Sequence, residues 1–341
     1  MRDFLFIACN NGFGHIKRVG SVIEKLHLLS DNPKIVVVTG NAQKEYLVKG
    51  DFIKRYGLQV ITEPFESIGS PNENYENAFR WTERLPKEIL EERKIISDNY
   101  PAILNQTKAT LMGSFLWSDV FAQSKNGIDI SLVSKETELL KLKKPKMICN
   151  RYFHMPSLEW MTIPVKLPFF CDEFSERNKG FGERNSVLLS LGAGSADRTR
   201  VASLIERLAD QKITVYLDDV LFRNFGKTLE NPYIRSFKFT PEAFSSLRLV
   251  VGRPGIGLIT DCVQFGIPMV TIESNGNSEI EHNAETVSKL GIGYSSKSLD
   301  DALEFGSKTY FEKTIWDRFQ ESILSIEMNG HLRAAEYLLE N

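Results

Sequence analysis

Cysteine is scarce in this chain. Cys9, Cys149, Cys171 and Cys262 are the four among 341 residues, far apart and with no C-x-x-C pair. That spacing argues against a disulfide framework or a structural zinc site and leaves buried thiols as the plain reading. Long hydrophobic runs are missing as well. No apolar run reaches the ~18 residues of a membrane-spanning helix, and residues 1–10 hold too short an apolar core for a signal peptide. A cytoplasmic setting is therefore the expectation. Nor is there a dominant charge: the net is −2, with 42% hydrophobic and 25% charged residues, a composition too apolar for a disordered chain. The charge is uneven. Residues 1–170 carry 23 Lys+Arg against 19 Asp+Glu, a net of +4; residues 171–341 carry 19 against 25, a net of −6. This pattern argues against a general nucleic-acid binder.

What the sequence does have is alternation. Short β-branched or apolar runs at 4–8, 35–39, 58–62, 94–97, 110–114 and 146–149 read as strands, and so do 187–191, 214–217, 234–239, 247–251 and 269–272. Near-continuous apolar strands are those covered on both faces. Helical patterns at 16–29, 42–56, 198–209, 257–265 and 280–290 separate them. Strand–helix alternation implies parallel sheets, and about 150 residues per domain implies two of them. Pro164, Pro168, Gly180 and Gly182 place the break between the domains within 162–184, a stretch that suits a linker. The expected division is 1–165, 166–310, and a helical tail, 311–341, that crosses back to the first domain.

Four stretches carry chemistry. Gly12-Phe13-Gly14-His15 lies between the first strand and the first helix. Small residues there let a ligand approach backbone N–H groups at a helix start. Lys17 stands where a dinucleotide fingerprint needs its third glycine, and no G-K-[ST] stands in this turn, so it is not a P-loop. His15 is left at the carboxyl edge of a parallel sheet, where such folds bind ligands. Asp98 ends the strand around 94–97; it caps the next helix or faces His15 as the carboxylate of a His–Asp pair, two readings that are compatible. Gly192-Ala193-Gly194-Ser195 follows the strand that opens the second half, a weak signal by itself. Most informative is 250–272, in which Arg253, Gly255, Ile256, Gly257 and Leu258 form a turn that opens a helix and Asp261 follows one turn later. Such a helix start suits a diphosphate, and an acid at this distance suits ribose hydroxyls. Asn277, Glu279 and Asn283 come after the next strand.

These motifs, in this order, resemble the nucleotide-sugar glycosyltransferases of the GT-B fold, namely the UDP-glycosyltransferases and the bacterial N-acetylglucosaminyltransferases of the cell-wall lipid precursor. Arg253, Gly255, Gly266, Pro268, Asn283 and Ala284 match the second-domain pattern in type and spacing, and Ser190-Leu191-Gly192 matches an S-x-G strand end. Gly14-His15 matches a G-x-G-H turn, and Asp98 the acid that partners its histidine. Three positions depart: Leu258 stands for Thr, Asp261 for Glu, and Ile280 for a sugar-contacting Gln, with Glu281, His282, Asn275 or Asn277 left to compensate.

The resemblance implies an acceptor-binding first domain and a second domain that binds the nucleotide-sugar through Gly192, Gly194, Ser195, Arg253, Gly255, Ile256, Gly257, Leu258, Asp261, Asn277, Glu279 and Asn283. His15 would be the base, helped by Asp98, with Gly12, Phe13 and Gly14 as the acceptor-side turn. No cofactor or metal is expected, there being no Asp-x-Asp motif. The partners expected are a nucleotide diphosphate-sugar (UDP first) and a glycan, glycolipid or small hydroxylated acceptor. Lys135, Lys141, Lys143, Lys144 and Lys146 add the expectation of peripheral membrane contact. A nucleotide-sugar hydrolase and a non-catalytic binding subunit are the alternatives.

Overall fold

The computed structural model describes residues 3–65, 77, 81–82, 84–91, 93–122, 130–191, 198–226, 231–272 and 277–341. The chain divides into two compact units, Met1–Phe170 with Asn329–Asn341, and Cys171–Met328.

The first unit is built on a seven-stranded parallel sheet. Its strands are β1 (Asp3–Ala8), β2 (Ile35–Val38), β3 (Gln59–Ile61), β4 (Arg93–Asp98), β5 (Thr110–Met112), β6 (Lys146–Asn150) and β7 (Ile163–Leu167), in the order β3-β2-β1-β4-β5-β6-β7. The central strand shows why. Phe4, Phe6 and Ala8 pack with Val19, Ile23 and Leu26 on one face, while Leu5, Ile7 and Cys9 pack with Val38, Trp81 and Tyr100 on the other. A strand whose odd and even residues are both apolar can only be central. Helix Gly14–Leu29 buries Ile16, Val19, Val22, Ile23 and Leu26, an apolar stripe of helical period. Helix Gly330–Glu340 lies against it and adds Ala334, Ala335 and Leu338 to the same core.

The second unit repeats the plan with six parallel strands: β8 (Ser186–Ser190), β9 (Thr214–Leu217), β10 (Ile234–Ser236), β11 (Leu247–Gly252), β12 (Met269–Ile272) and β13 (Gly293–Ser296), in the order β10-β9-β8-β11-β12-β13. Val187, Leu189, Val215, Leu217, Leu249 and Val251 form its core with Val201 and Ile205 of helix Arg198–Asp210.

Three sequence expectations need correction. The stretch 162–184 is not all linker, because β7 occupies Ile163–Leu167. Pro164 suggested a break, yet a proline is tolerated on an edge strand, and β7 is one. Strand β13 escaped the reading because Gly-Tyr-Ser-Ser lacks an apolar run, again at a sheet edge. The tail is divided between the units: helix Lys313–Leu324 belongs to the second, and Gly330–Glu340 alone returns to the first.

Candidate functional site

In each sheet the strand order reverses direction at one place, between β1 and β4 in the first and between β8 and β11 in the second. Open α/β sheets bind ligands outside the carboxyl ends of the strands at such switch points. The described motif residues fall there: His15 follows β1 and Asp98 ends β4, while Arg253 follows β11.

In the first unit Ala8 and Asp98 are register partners at the carboxyl ends of β1 and β4. The turn between β1 and the helix is braced from both sides. Gln43 Nε2 donates to the carbonyls of Asn10 (2.8 Å) and Gly12 (2.9 Å), and the Tyr100 hydroxyl donates to Asn10 Oδ1 at 2.7 Å. Gly12 takes φ +77°, a conformation that favours glycine, and so turns the chain into the helix.

The helix start brings His15 over the strand end. His15 Nδ1 lies 2.7 Å from Asp98 Oδ1, and Asp98 is fully buried. An ionised carboxylate only accepts, so Nδ1 donates to it, and in the neutral imidazole Nε2 holds the lone pair. Asp98 also accepts from Arg18, at 3.0 Å from Nε to Oδ2 and 2.7 Å from Nη2 to Oδ1. Arg18 Nη2 stands 3.4 Å from His15 Nδ1, where two donors face each other across the shared oxygen. Burial alone would raise the Asp98 carboxyl. The attraction and hydrogen bonds of Arg18 and His15 outweigh it and hold the group below its ordinary range. Phe115 meets the His15 ring edge-on at 6.3 Å, and Phe13 is exposed beside Tyr46.

Asp98 does not cap the helical turn Pro101–Asn105, which starts after Tyr100 with no side-chain cap; its oxygens accept from His15 and Arg18 instead. Arg18 is the residue the sequence reading missed. Its signal was the helical i, i+3 spacing from His15, which places both side chains on one face.

In the second unit β11 ends at Gly252, where an added Cβ would lie 2.2 Å from the Ser190 carbonyl oxygen of neighbouring β8. Only glycine lets the two strand ends approach this closely. Arg253 N donates to that same carbonyl at 2.9 Å, and helix Ile256–Phe265 starts after Gly255, with no side-chain cap and no acid in its first turn. Cβ atoms at Gly255 and Gly257 would meet nothing within 4 Å, so packing does not explain either glycine. Asn283 is buried and its Nδ2 donates to the Pro254 carbonyl at 3.0 Å, fixing the turn from helix Ser278–Lys289.

The remaining residues are placed as follows. Asp261 is buried one turn into its helix. Asn277 Oδ1 accepts from Ile280 N at 3.2 Å and caps helix Ser278–Lys289, in whose first turn Glu279 stands. Ile280 is a buried core side chain. Leu258 is half-buried in the first turn of its own helix. Gly192, Gly194, Ser195 and Asn275 lie outside the described residues.

No family model and no curated protein matches the chain. Solved structures do. The glycosyltransferase of kitacinnamycin superposes with a TM-score of 0.68 at 14% identity, over 99% of this chain and 98% of its own. The spinosyn rhamnosyltransferase SpnG gives 0.65 at 12% identity over 100% of both chains. The Streptomyces sp. SF2575 glycosyltransferase SsfS6, solved in complex with thymidine diphosphate, gives 0.58 at 12% identity over 100% of both. The fold is that of the GT-B glycosyltransferases. Two doubly wound parallel-sheet domains, with a C-terminal helix returned to the first, are the GT-B elements expected from the sequence and found here. No helix among the described residues is long and apolar enough to cross a membrane.

Proposed function

We propose that this chain is an inverting glycosyltransferase that moves a sugar from a nucleoside diphosphate-sugar, UDP-sugars first, to a hydroxyl acceptor. The observation that carries the reading is the pairing of His15 with buried Asp98 at the first switch point, with Nε2 left free to accept a proton. His15 Nε2 takes the acceptor hydroxyl proton as the oxygen bonds to the anomeric carbon. The bond from that carbon to the diphosphate oxygen breaks, the pair of electrons leaves with the diphosphate, and the configuration inverts. In the second unit the start of helix Ile256–Phe265, which no side chain caps, offers N–H groups suited to a diphosphate. With no Asp-x-Asp motif in the sequence, backbone dipoles rather than a metal take this part.

The test is a panel of nucleoside diphosphate-sugars with and without hydroxylated acceptors, followed by nucleotide release. Release accelerated by an acceptor supports transfer. Fast release that no acceptor changes means a hydrolase, and no release with any donor overturns catalysis.

We further propose that the first unit touches an anionic membrane surface through the amino edge of its sheet, the edge opposite His15 and Asp98. In the first unit Leu142, Trp160 and Ile163 are 79%, 50% and 52% exposed. Lys141 Nζ lies 5.4 Å above the Trp160 ring, Lys144 Nζ donates to the Trp160 carbonyl at 2.9 Å, and Lys143 is exposed next in the chain. Lysines around half-exposed apolar side chains suit a headgroup layer. Co-sedimentation with phosphatidylglycerol vesicles but not phosphatidylcholine vesicles is expected, and loss on Lys143→Glu with Lys144→Glu. Failure to sediment with either lipid sinks this placement.

A further inference from the structure

A His–Asp pair by itself is a strong base, because the carboxylate stabilises the imidazolium that proton transfer creates. Here the carboxylate is not by itself. Arg18 takes both of its oxygens, through Nε at 3.0 Å and Nη2 at 2.7 Å, and shares Oδ1 with His15. The same guanidinium nitrogen stands 3.4 Å from His15 Nδ1, so it repels a charged imidazole and opposes the attraction that Asp98 exerts from 2.7 Å. Other titratable groups near Asp98 do not alter this balance. Cys9 and Tyr100 stay neutral, burial pushing the thiol up to about 11 and the phenol well above its ordinary value. Phe115, which meets His15 from the segment after β5, is uncharged.

We propose that Arg18 is a positioning residue that tempers the base: it locks Asp98 in the orientation that sets the His15 tautomer while cancelling the carboxylate's pull on the imidazolium. Asp98 then orients without overcharging, and His15 stays neutral, hence competent as a base, to lower pH than an unshared pair would allow. The role rests on the glycosyltransferase reading, but its electrostatic core does not need a substrate to be measured.

The experiment follows histidine ring nitrogens by NMR across a pH series in the full chain, with the His15 signal assigned by its loss in His15→Gln. The expected cycle has four corners. Relative to the wild type, Arg18→Met moves the His15 protonation midpoint up by about 1–2 pH units, and Asp98→Asn moves it down. Arg18→Lys restores most of the wild-type midpoint. The double variant Arg18→Met with Asp98→Asn, which buries no unpaired charge, returns to within about 0.5 unit of the wild type. An unmoved midpoint in Arg18→Met overturns the proposal. Should that single variant not fold, the double variant decides: a midpoint above that of Asp98→Asn supports the role, and one equal to it overturns it. Where transfer is detected, the acid limb of the pH–rate profile should move with the NMR midpoint. Absence of any transfer would refute the function and leave the NMR cycle intact, so the two failures are distinguishable.

Discussion

Arg18 and Asp98 are joined through both carboxylate oxygens, with one partner fully buried and the other 12% exposed. A buried carboxylate deprived of its cation is costly. Arg18→Met should lose about 3–5 kcal/mol in urea unfolding at pH 7. Because the Asp98 carboxyl is held below its ordinary value of 3.8, the stability it contributes is present above that value and lost as pH falls through the folded-state value. The gap between wild type and variant should therefore narrow in acid. An equal gap at pH 7 and pH 3 would show that the ion pair is not its source.

Chemistry should fail before binding does. His15→Ala is expected to lower turnover by about 10²–10⁴-fold, the usual share of a general base, with nucleotide affinity far less affected. Asp98→Asn should fall less far, and the double variant should be little worse than His15→Ala, since Asp98 acts through His15. Losses that multiply would give Asp98 an independent role.

Nucleoside diphosphate should bind without added metal, UDP being the first choice and thymidine diphosphate the comparison. Calorimetry with and without chelator reads this directly. Binding that disappears with chelator contradicts the helix start as the sole counter-charge.

Asp261→Ala should weaken that binding by roughly 1.5–3 kcal/mol, the range for hydrogen bonds to a charged group. Asp261 is buried, so thermal unfolding without ligand must be measured alongside. If affinity is unchanged while stability drops, the carboxylate serves the helix and not the ribose.

Glu136 offers a test independent of function. It is buried, accepts from Ser118 N at 3.2 Å, and burial pushes its carboxyl up to about 7. The folded chain keeps that proton to about pH 7, while the unfolded chain releases it near the ordinary 4.5. Stability is therefore lost as pH rises between those values, by up to about 3 kcal/mol. Glu136→Gln should match the wild type near pH 4.5 and exceed it at pH 8. Denaturation at both pH values checks this, and a constant difference would argue against it.

The sequence by itself determined the local units. Apolar runs marked the covered strands, helical stripes such as Val19, Ile23 and Leu26 marked the helices, and glycine turns marked where strand gives way to helix. Each is set by residues a few positions apart, so each was legible. Edge strands β7 and β13 were not, because a proline interrupts the first and Gly-Tyr-Ser-Ser gives the second no apolar run, whereas edge strands β3 and β10 were read from theirs. Only the tertiary structure decided what meets what. His15 and Asp98 are 83 positions apart and touch because β1 and β4 are neighbours, an order that crossover connections and two-sided burial impose on the whole sheet. The same adjacency brings Arg18 onto Asp98, and packing within the second unit puts Ile280 in the core. A side chain's partners depend on packing between distant segments, and no local pattern carries that information.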